Sequence, residues 1–436
     1  MRTNSIIAGS LLVAGQALAS VAPRQPYAYP AKPEFKRGDQ GCTTAERIAP
    51  KILIISMFYP EADVWYENMP KSGYGDLLAQ NITVPGLSPI YPEVHCIPSG
   101  EICQVTAGES EINAAASISS LMLSTKFDFS STYILMNGIA GVSPKLATLG
   151  SYALSKFAVQ VALQYEFDPR DLPSNFSTGY IGYDNLAPGQ YPAEAYGTEV
   201  MEVNEALRDI AFDFASNAVL SDSDGAKAYR AKYAPAGDVF AAAVAGPSVV
   251  KCDGATSDVY YSGNILAEAF SNTTKVWTNQ TEYTYCMTAQ EDSAVLQSIM
   301  RAHLAGLVDY TRTIVVRTAS DFDRPPPGTS AYDHLLIDDQ GGFTPAVDNI
   351  YLGGIEIVKG ILLSWNCTFA AGIKPTNYVG DIFGSLGGEP DFGMGSVFSN
   401  GNGAQADGSS YTGAVKRSNY GKRGFYKSPK AARLMK

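Results

Sequence analysis

Lys51-Ile-Leu-Ile-Ile-Ser-Met57, followed at once by Phe58-Tyr-Pro-Glu-Ala-Asp-Val-Trp65, is the stretch on which the fold turns. An unbroken apolar, β-branched run behind Pro50 reads as a strand buried on both faces. Such strands belong to parallel sheets covered by helices. Residues 102–106 and 133–136 read the same way, and 150–161 is again strand-like. Between them, residues 111–123 space Ile112, Ala115, Ala116, Ser119 and Met122 at helical intervals. Residues 199–220 predict a long amphipathic helix with Val200, Val203, Leu207, Ile210 and Phe214 on one face. Another helix is expected over 290–307, then a strand over 313–318. A last helix over 347–365 carries Gly353, Gly354 and Gly360, which weaken it. Alternating strands and helices give an α/β architecture with ligands near the carboxyl ends of strands.

The composition agrees with a folded chain: 436 residues, 45% hydrophobic and 17% charged. Its 32 basic and 43 acidic residues leave a net charge of −11, which argues against nucleic acid as a partner. Eight of the basic residues fall between Gly408 and Lys436, a stretch with no acid, so a basic tail follows an acidic body. Residues 1–19 read as a secretory signal: Arg2, an apolar run from Ile6 to Ala14, then Ala17-Leu18-Ala19. Residues 20–37, Pro-rich and ending in Lys36-Arg37, read equally as a pro-segment or a linker. The expected body is 38–390, and the Gly/Ser-rich then basic segment 391–436 reads as tail. Secretion also fits five N-x-S/T sequons, at Asn81, Asn175, Asn272, Asn279 and Asn366. Six cysteines suit a disulfide-permissive compartment, with Cys96–Cys103 the favoured pair. No later segment is apolar for long enough to span a membrane. The sequence leaves the oligomeric state, homo-oligomer included, open.

Several chemistries lack their motifs. There is no nucleophile elbow, P-loop, H-E-x-x-H or dinucleotide fingerprint, and only three histidines, His95, His303 and His334. No cofactor or metal is called for, and an enzyme here would work with carboxylates. Three segments place polar groups at strand ends. Glu61 and Asp63 follow the first strand, where a carboxylate can face a cleft or cap the next helix. Met136-Asn-Gly-Ile-Ala-Gly-Val142 follows another, with Gly138 and Gly141 allowing close approach of a ligand or a neighbouring strand. Gln290-Glu-Asp-Ser heads a helix, and Arg317-Thr-Ala-Ser-Asp321 closes the following strand.

Taken with residues 55–70, 81–96, 157–173 and 196–209, these segments closely resemble the fungal purine nucleoside permease family from about Lys51 to Leu386. They are more distantly similar to the nucleoside phosphorylase and nucleosidase superfamily, which has a glycine-rich turn, an M-E helix start and an R-x-x-S-D strand end in this order. That resemblance implies a single α/β domain with a central mixed, partly barrelled sheet flanked by helices. It implies Asp321 as the acid that protonates purine N7, and Glu291 as the holder of ribose hydroxyls. Tyr260 or Tyr261 would stack on the base, and Asp63 or Glu61 would activate water. Gln290, Ser320, Arg317, Asn137, Gly138 and Ala140 complete the expected substrate set. Gln290 replaces the Met of the M-E pair.

Two departures bear on the nucleophile. Phosphorylases resembling this turn bind phosphate through an Arg and a Ser where this chain has Met136 and Ile139, neither of which can hold a dianion. The expectation is therefore a secreted purine nucleosidase, acting on adenosine, guanosine or inosine with water, in a pocket with no means of gripping an inorganic anion. Operation in acid would need the least tuning of Asp321. The alternatives are an extracellular nucleoside-binding or transport component, as the family name has it, and a phosphorylase.

Overall fold

The computed structural model describes residues 47–280, 285–388 and 390. The expected signal, pro-segment and tail, together with Cys42, lie outside them.

The first strand, Ile52–Ser56, is buried at every position between two parallel neighbours, Ile102–Thr106 and Tyr133–Val142. This is why its sequence is a continuous apolar run: neither face meets water. From there the sheet extends one way through Glu93–Cys96 to Gln80–Thr83, an antiparallel edge. The other way it runs through Tyr285–Ala289, Asp253–Thr256, Phe157–Gln160 and Val200–Glu202 to Gly380–Asp381. The strand Tyr133–Val142 also pairs with Thr313–Phe322, which pairs in turn with Tyr152–Ser155. Tyr152–Ser155 continues through Lys156 into Phe157–Gln160, so the pairings close on themselves. The fold is thus mixed α/β, with a large, partly barrelled sheet flanked by helices.

Several elements differ from expectation. The stretch 150–161 is two strands, broken at Lys156, whose N–H, like that of Phe157, donates to Asp253 Oδ1. The helix expected from residue 199 begins only at Glu205, because Val200–Glu202 pairs with two strands. Asn204 then caps Glu205–Ala215, its Oδ1 accepting from Leu207 N. In the helix Ser110–Met122 the buried face is Ala114, Ser117, Ile118, Leu121 and Met122, while Ile112 is 81% exposed. The last long helix runs from Phe343 to Leu363, starting before the expected residue 347.

Its glycines are contact points. A Cβ on Gly353 would lie 2.5 Å from the Tyr152 ring, one on Gly354 2.6 Å from Trp65, and one on Gly360 would run into the Phe214 ring. Cys96–Cys103 and Cys252–Cys286 are disulfides, and Cys367 is exposed and unpaired among the described residues.

Candidate active site

Four strands, Ile52–Ser56, Tyr133–Val142, Tyr285–Ala289 and Thr313–Phe322, end around one cavity of about 380 Å³. Glu61, Glu109, Glu291, Asp321, Asp338 and Asp339 line it, with Arg317 as the one cation in its lining among the described residues. Phe58, Tyr260 and Phe343 supply aromatic surface, the Phe58 and Phe343 rings meeting edge-on at 6.4 Å.

Glu61 comes from the first turn of the helix Tyr59–Asn68, which Pro60 starts without a lost N–H. Its Oε2 accepts from Met57 N at 2.6 Å and its Oε1 from Ile139 N at 2.7 Å. Burial outweighs these bonds and the Arg317 charge, so its pKa is pushed up to about 7. Asp63 does not line the cavity. Two residues along a helix is a rotation of about 200°, so Asp63 leaves the face that Glu61 occupies.

Arg317 is fully engaged from below. Its Nε donates to Asp292 Oδ1 at 2.9 Å, its Nη2 to Glu291 Oε2 at 2.9 Å and to Asp292, and its Nη1 to the Ile139 carbonyl at 3.0 Å. Three carboxylates, Asp292, Glu291 and Glu61, surround this one guanidinium. Arg317, expected in the substrate set, is thus a cation on the cavity, but its charge is already matched by these carboxylates. Met136 is buried in the core, away from the cavity lining, and Ile139 lines the cavity.

Glu291 precedes the helix Asp292–Leu304, and its Oε1 accepts from Ser110 N at 3.0 Å. Ser110 itself holds a left-handed backbone, φ 77°, to make that bond. Gln290 lines the cavity with its amide donating to the Asp258 carbonyl at 2.9 Å.

Asp321 lies just past a register shift against Tyr133–Val142. Its Oδ2 accepts from the Tyr260 hydroxyl at 2.7 Å and its Oδ1 from Ser320 Oγ at 2.7 Å. Burial raises its pKa against those two donors. The tyrosines separate by their hydroxyls. Tyr260, 59% exposed, reaches Asp321, whereas buried Tyr261 pairs with the Tyr285 hydroxyl at 3.0 Å.

Gly138 and Gly141 earn their place by close approach. A Cβ on Gly138 would lie 2.7 Å from both Arg317 and Glu61, and one on Gly141 2.5 Å from Thr288 Oγ1 and 3.3 Å from Asp321. Ala140 lines the cavity. Asn137 does not: fully buried, it donates to the Ile350 carbonyl at 3.0 Å on the helix side of the sheet. Glu109, Thr288, Asp338, Asp339, Gln340 and Phe343 line the cavity without having been expected; Glu109 and Thr288 lie at the ends of Ile102–Thr106 and Tyr285–Ala289, a position that could have found them, whereas Asp338 to Phe343 come from a loop and a helix start.

Residues 49–374 match the purine nucleoside permease (NUP) family. The chain belongs to the purine nucleoside permease family. A purine nucleoside permease of Candida albicans is 45% identical over 350 residues, 79% of this chain and 83% of that one. A probable purine nucleoside permease of Schizosaccharomyces pombe is 39% identical over 325 residues, 73% of this chain and 90% of that one. Among solved structures, the 5′-methylthioadenosine/S-adenosylhomocysteine nucleosidase from Neisseria meningitidis superimposes with TM-score 0.42 at 12% identity. That superposition covers 72% of this chain and 99% of the other, a likeness too slight to argue from. For a family of this name, one fact is notable: among the described residues of this permease-family chain, no helix is long and apolar enough to cross a membrane.

Proposed function

We propose that the protein is a secreted purine nucleosidase, hydrolysing the N-glycosidic bond of adenosine, guanosine or inosine to free base and ribose. The observation that carries this reading is the pairing of two differently held carboxyls, Glu61 and Asp321, on one cavity whose one cation among the described residues is already matched by carboxylates. Purine nucleosides as ligands follow the names of the relatives. The disulfides Cys96–Cys103 and Cys252–Cys286 fit an oxidising compartment.

In the reaction, the Asp321 carboxyl gives its proton to N7 as the C1′–N9 bond breaks, leaving an oxocarbenium-like ribosyl group. Water attacks C1′ and yields its proton to Glu61, so one water is consumed and base and ribose leave. Glu291 holds the ribose hydroxyls, and Tyr260 and Phe58 offer faces to the base. With Glu61 titrating near 7, the base is lost in acid, which favours working near neutrality over the acidic optimum the sequence alone suggests.

The relatives' names favour a second reading, a nucleoside-binding component of transport with no turnover. Inosine and adenosine, incubated with purified protein with and without phosphate, separate the cases. Ribose and free base in the absence of phosphate support hydrolysis; ribose 1-phosphate overturns it; tight binding without turnover selects the transport reading. Asp321→Asn should lower kcat by about 10²–10⁴-fold while leaving nucleoside affinity within a few-fold, and a fully active variant removes Asp321 from the mechanism.

A further inference from the structure

The residue after Asp321 is held on both sides of its backbone by side chains that arrive from elsewhere in the chain. Phe322 N donates to Gln340 Oε1 at 2.7 Å, and the Phe322 carbonyl accepts from His334 Nε2 at 2.8 Å. A carbonyl can only accept, so the His334 proton sits on Nε2. Nδ1 is then the acceptor for the Tyr229 hydroxyl, 2.5 Å away. His334 is fully buried, and burial holds its pKa below the ordinary imidazole value, which keeps this neutral tautomer. Gln340 also donates back to the His334 carbonyl at 3.4 Å.

The end of the strand that carries Asp321 has a partner strand on one side only, since Tyr152–Ser155 pairs no further than Thr318. The register against Tyr133–Val142 shifts between Ala319 and Asp321, which skips Ser320 and sets Asp321 opposite Gly141 and Phe322 opposite Val142. Two residues past the acid, Asp323 is fixed by the Tyr285 hydroxyl at 2.8 Å and by Arg324 Nε at 2.8 Å. Phe322 lies between the acid and Asp323, and the hydrogen bonds to its backbone fix the main chain from which the Asp321 carboxyl, held directly by Tyr260 and Ser320, projects. The same bonds tie the strand end to residues 338–343, which form one wall of the cavity.

We propose that His334, oriented by Tyr229, is a positioning residue that sets the Asp321 carboxyl against the base by clamping the Phe322 carbonyl. The proposal rests on the reading of Asp321 as the acid. Its effect is on the reacting geometry rather than on binding, so it belongs in kcat and in the titration of Asp321. The groups facing His334 are Tyr229, Asp321, Asp323 and Asp338.

His334→Phe fills the volume without a donor, and His334→Gln can still present an N–H. The Phe variant should lose about 10–100-fold in kcat with KM within about threefold, as misplacement of a reacting group by an ångström does. The limb of its pH profile that Asp321→Asn abolishes should move, and the Gln variant should recover most of both. A folded His334→Phe with the wild-type kcat and pH profile, or a Gln variant as impaired as the Phe variant, overturns the clamp. Should the wild type turn over no nucleoside, the hydrolytic reading fails, and the clamp is read at equilibrium instead. The affinity for free adenine is then measured by calorimetry across pH. In that case a shifted midpoint for His334→Phe, restored in His334→Gln, supports it, and an unshifted one overturns it. If His334→Phe does not fold, Tyr229→Phe removes the hydroxyl that faces His334 Nδ1 and Asp338. It should show the same changes at about three- to tenfold, since one neutral hydrogen bond is at stake, and a wild-type profile there overturns the proposal.

Discussion

Both oxygens of Glu61 accept backbone hydrogen bonds, from Met57 and Ile139, yet burial still lifts its pKa from an ordinary 4.5 to about 7. The folded protein therefore holds the Glu61 proton more tightly than the unfolded chain does. The stability that this proton contributes is complete below about pH 4.5 and is lost as pH rises through about 7. At 1.36 kcal/mol per pH unit the loss is ~3 kcal/mol. Glu61→Gln has no such proton to lose. Urea denaturation at pH 4 and pH 8 should show the difference between variant and wild type moving by ~3 kcal/mol in favour of Gln at the higher pH. The same variant should lose about 10²–10⁴-fold in kcat, because a Gln cannot take a proton from water. A variant more stable and less active places Glu61 among groups kept for chemistry at a cost to stability; a stability difference independent of pH would mean that Glu61 titrates normally. Nothing in the spacing of Glu61 and Asp63 separates them. Helix phase does, and that phase is fixed by where Pro60 starts the helix.

Among the elements, the helix Phe343–Leu363 is the one whose sequence argues against it and whose packing requires it. Gly354 brings it against Trp65, on the helix that carries Glu61, and against Asn137, on the strand behind the cavity. Gly354→Ala gains about 1 kcal/mol of helix propensity but meets Trp65 at 2.6 Å and Asn137 at 2.7 Å. Overpacking of this kind costs about 1–3 kcal/mol. The net result should be a modest loss of stability with a larger proportional loss of kcat, measured by thermal unfolding and steady-state rates; a stabilised, fully active variant would show that the two helices can separate freely. The helix was legible because Ile350, Ile357, Val358 and Ile361 outvote the glycines in a periodic count. The first strand was legible because burial on both faces leaves no polar interruptions. Val200–Glu202 was not, since Val200, Val203 and Leu207 happen to fall at helical intervals, and Asn204, the true helix start, is as plausible inside a helix as at its head. At the site, Glu61, Glu291 and Asp321 were legible as acids at strand and helix ends. His334 and Gln340 were not, because their role is to hold another residue's backbone, and backbone contacts across distant segments leave no trace in spacing.

At the scale of the whole molecule, the charge balance and the cavity point the same way. The chain carries a net −11, and among the described residues six acids face one guanidinium in the cavity lining. Protonation of Glu61 and Asp321 still leaves Glu109, Glu291, Asp338 and Asp339 there, with Arg317 already bound to Glu291 and Asp292. A neutral nucleoside enters without electrostatic penalty, whereas a 5′-phosphate brings up to two negative charges towards that lining. With an effective dielectric of about 20, one like charge about 6 Å away costs about 3 kcal/mol. That corresponds to about a hundredfold in affinity. Adenosine should therefore be preferred over 5′-AMP by at least about a hundredfold in kcat/KM at low ionic strength, with the gap narrowing as salt screens the rim. Changing Glu109, Asp338 and Asp339 together to Gln, Asn and Asn should narrow it further, chiefly through the KM for 5′-AMP, because the change removes repulsion without touching Glu61 or Asp321. Parallel release of adenine from the two substrates across a salt series measures this directly. Equal rates on adenosine and 5′-AMP at low salt would mean that the phosphate escapes the acidic lining or finds a cation, and the matched charge of Arg317 would no longer support the proposed hydrolysis over phosphorolysis.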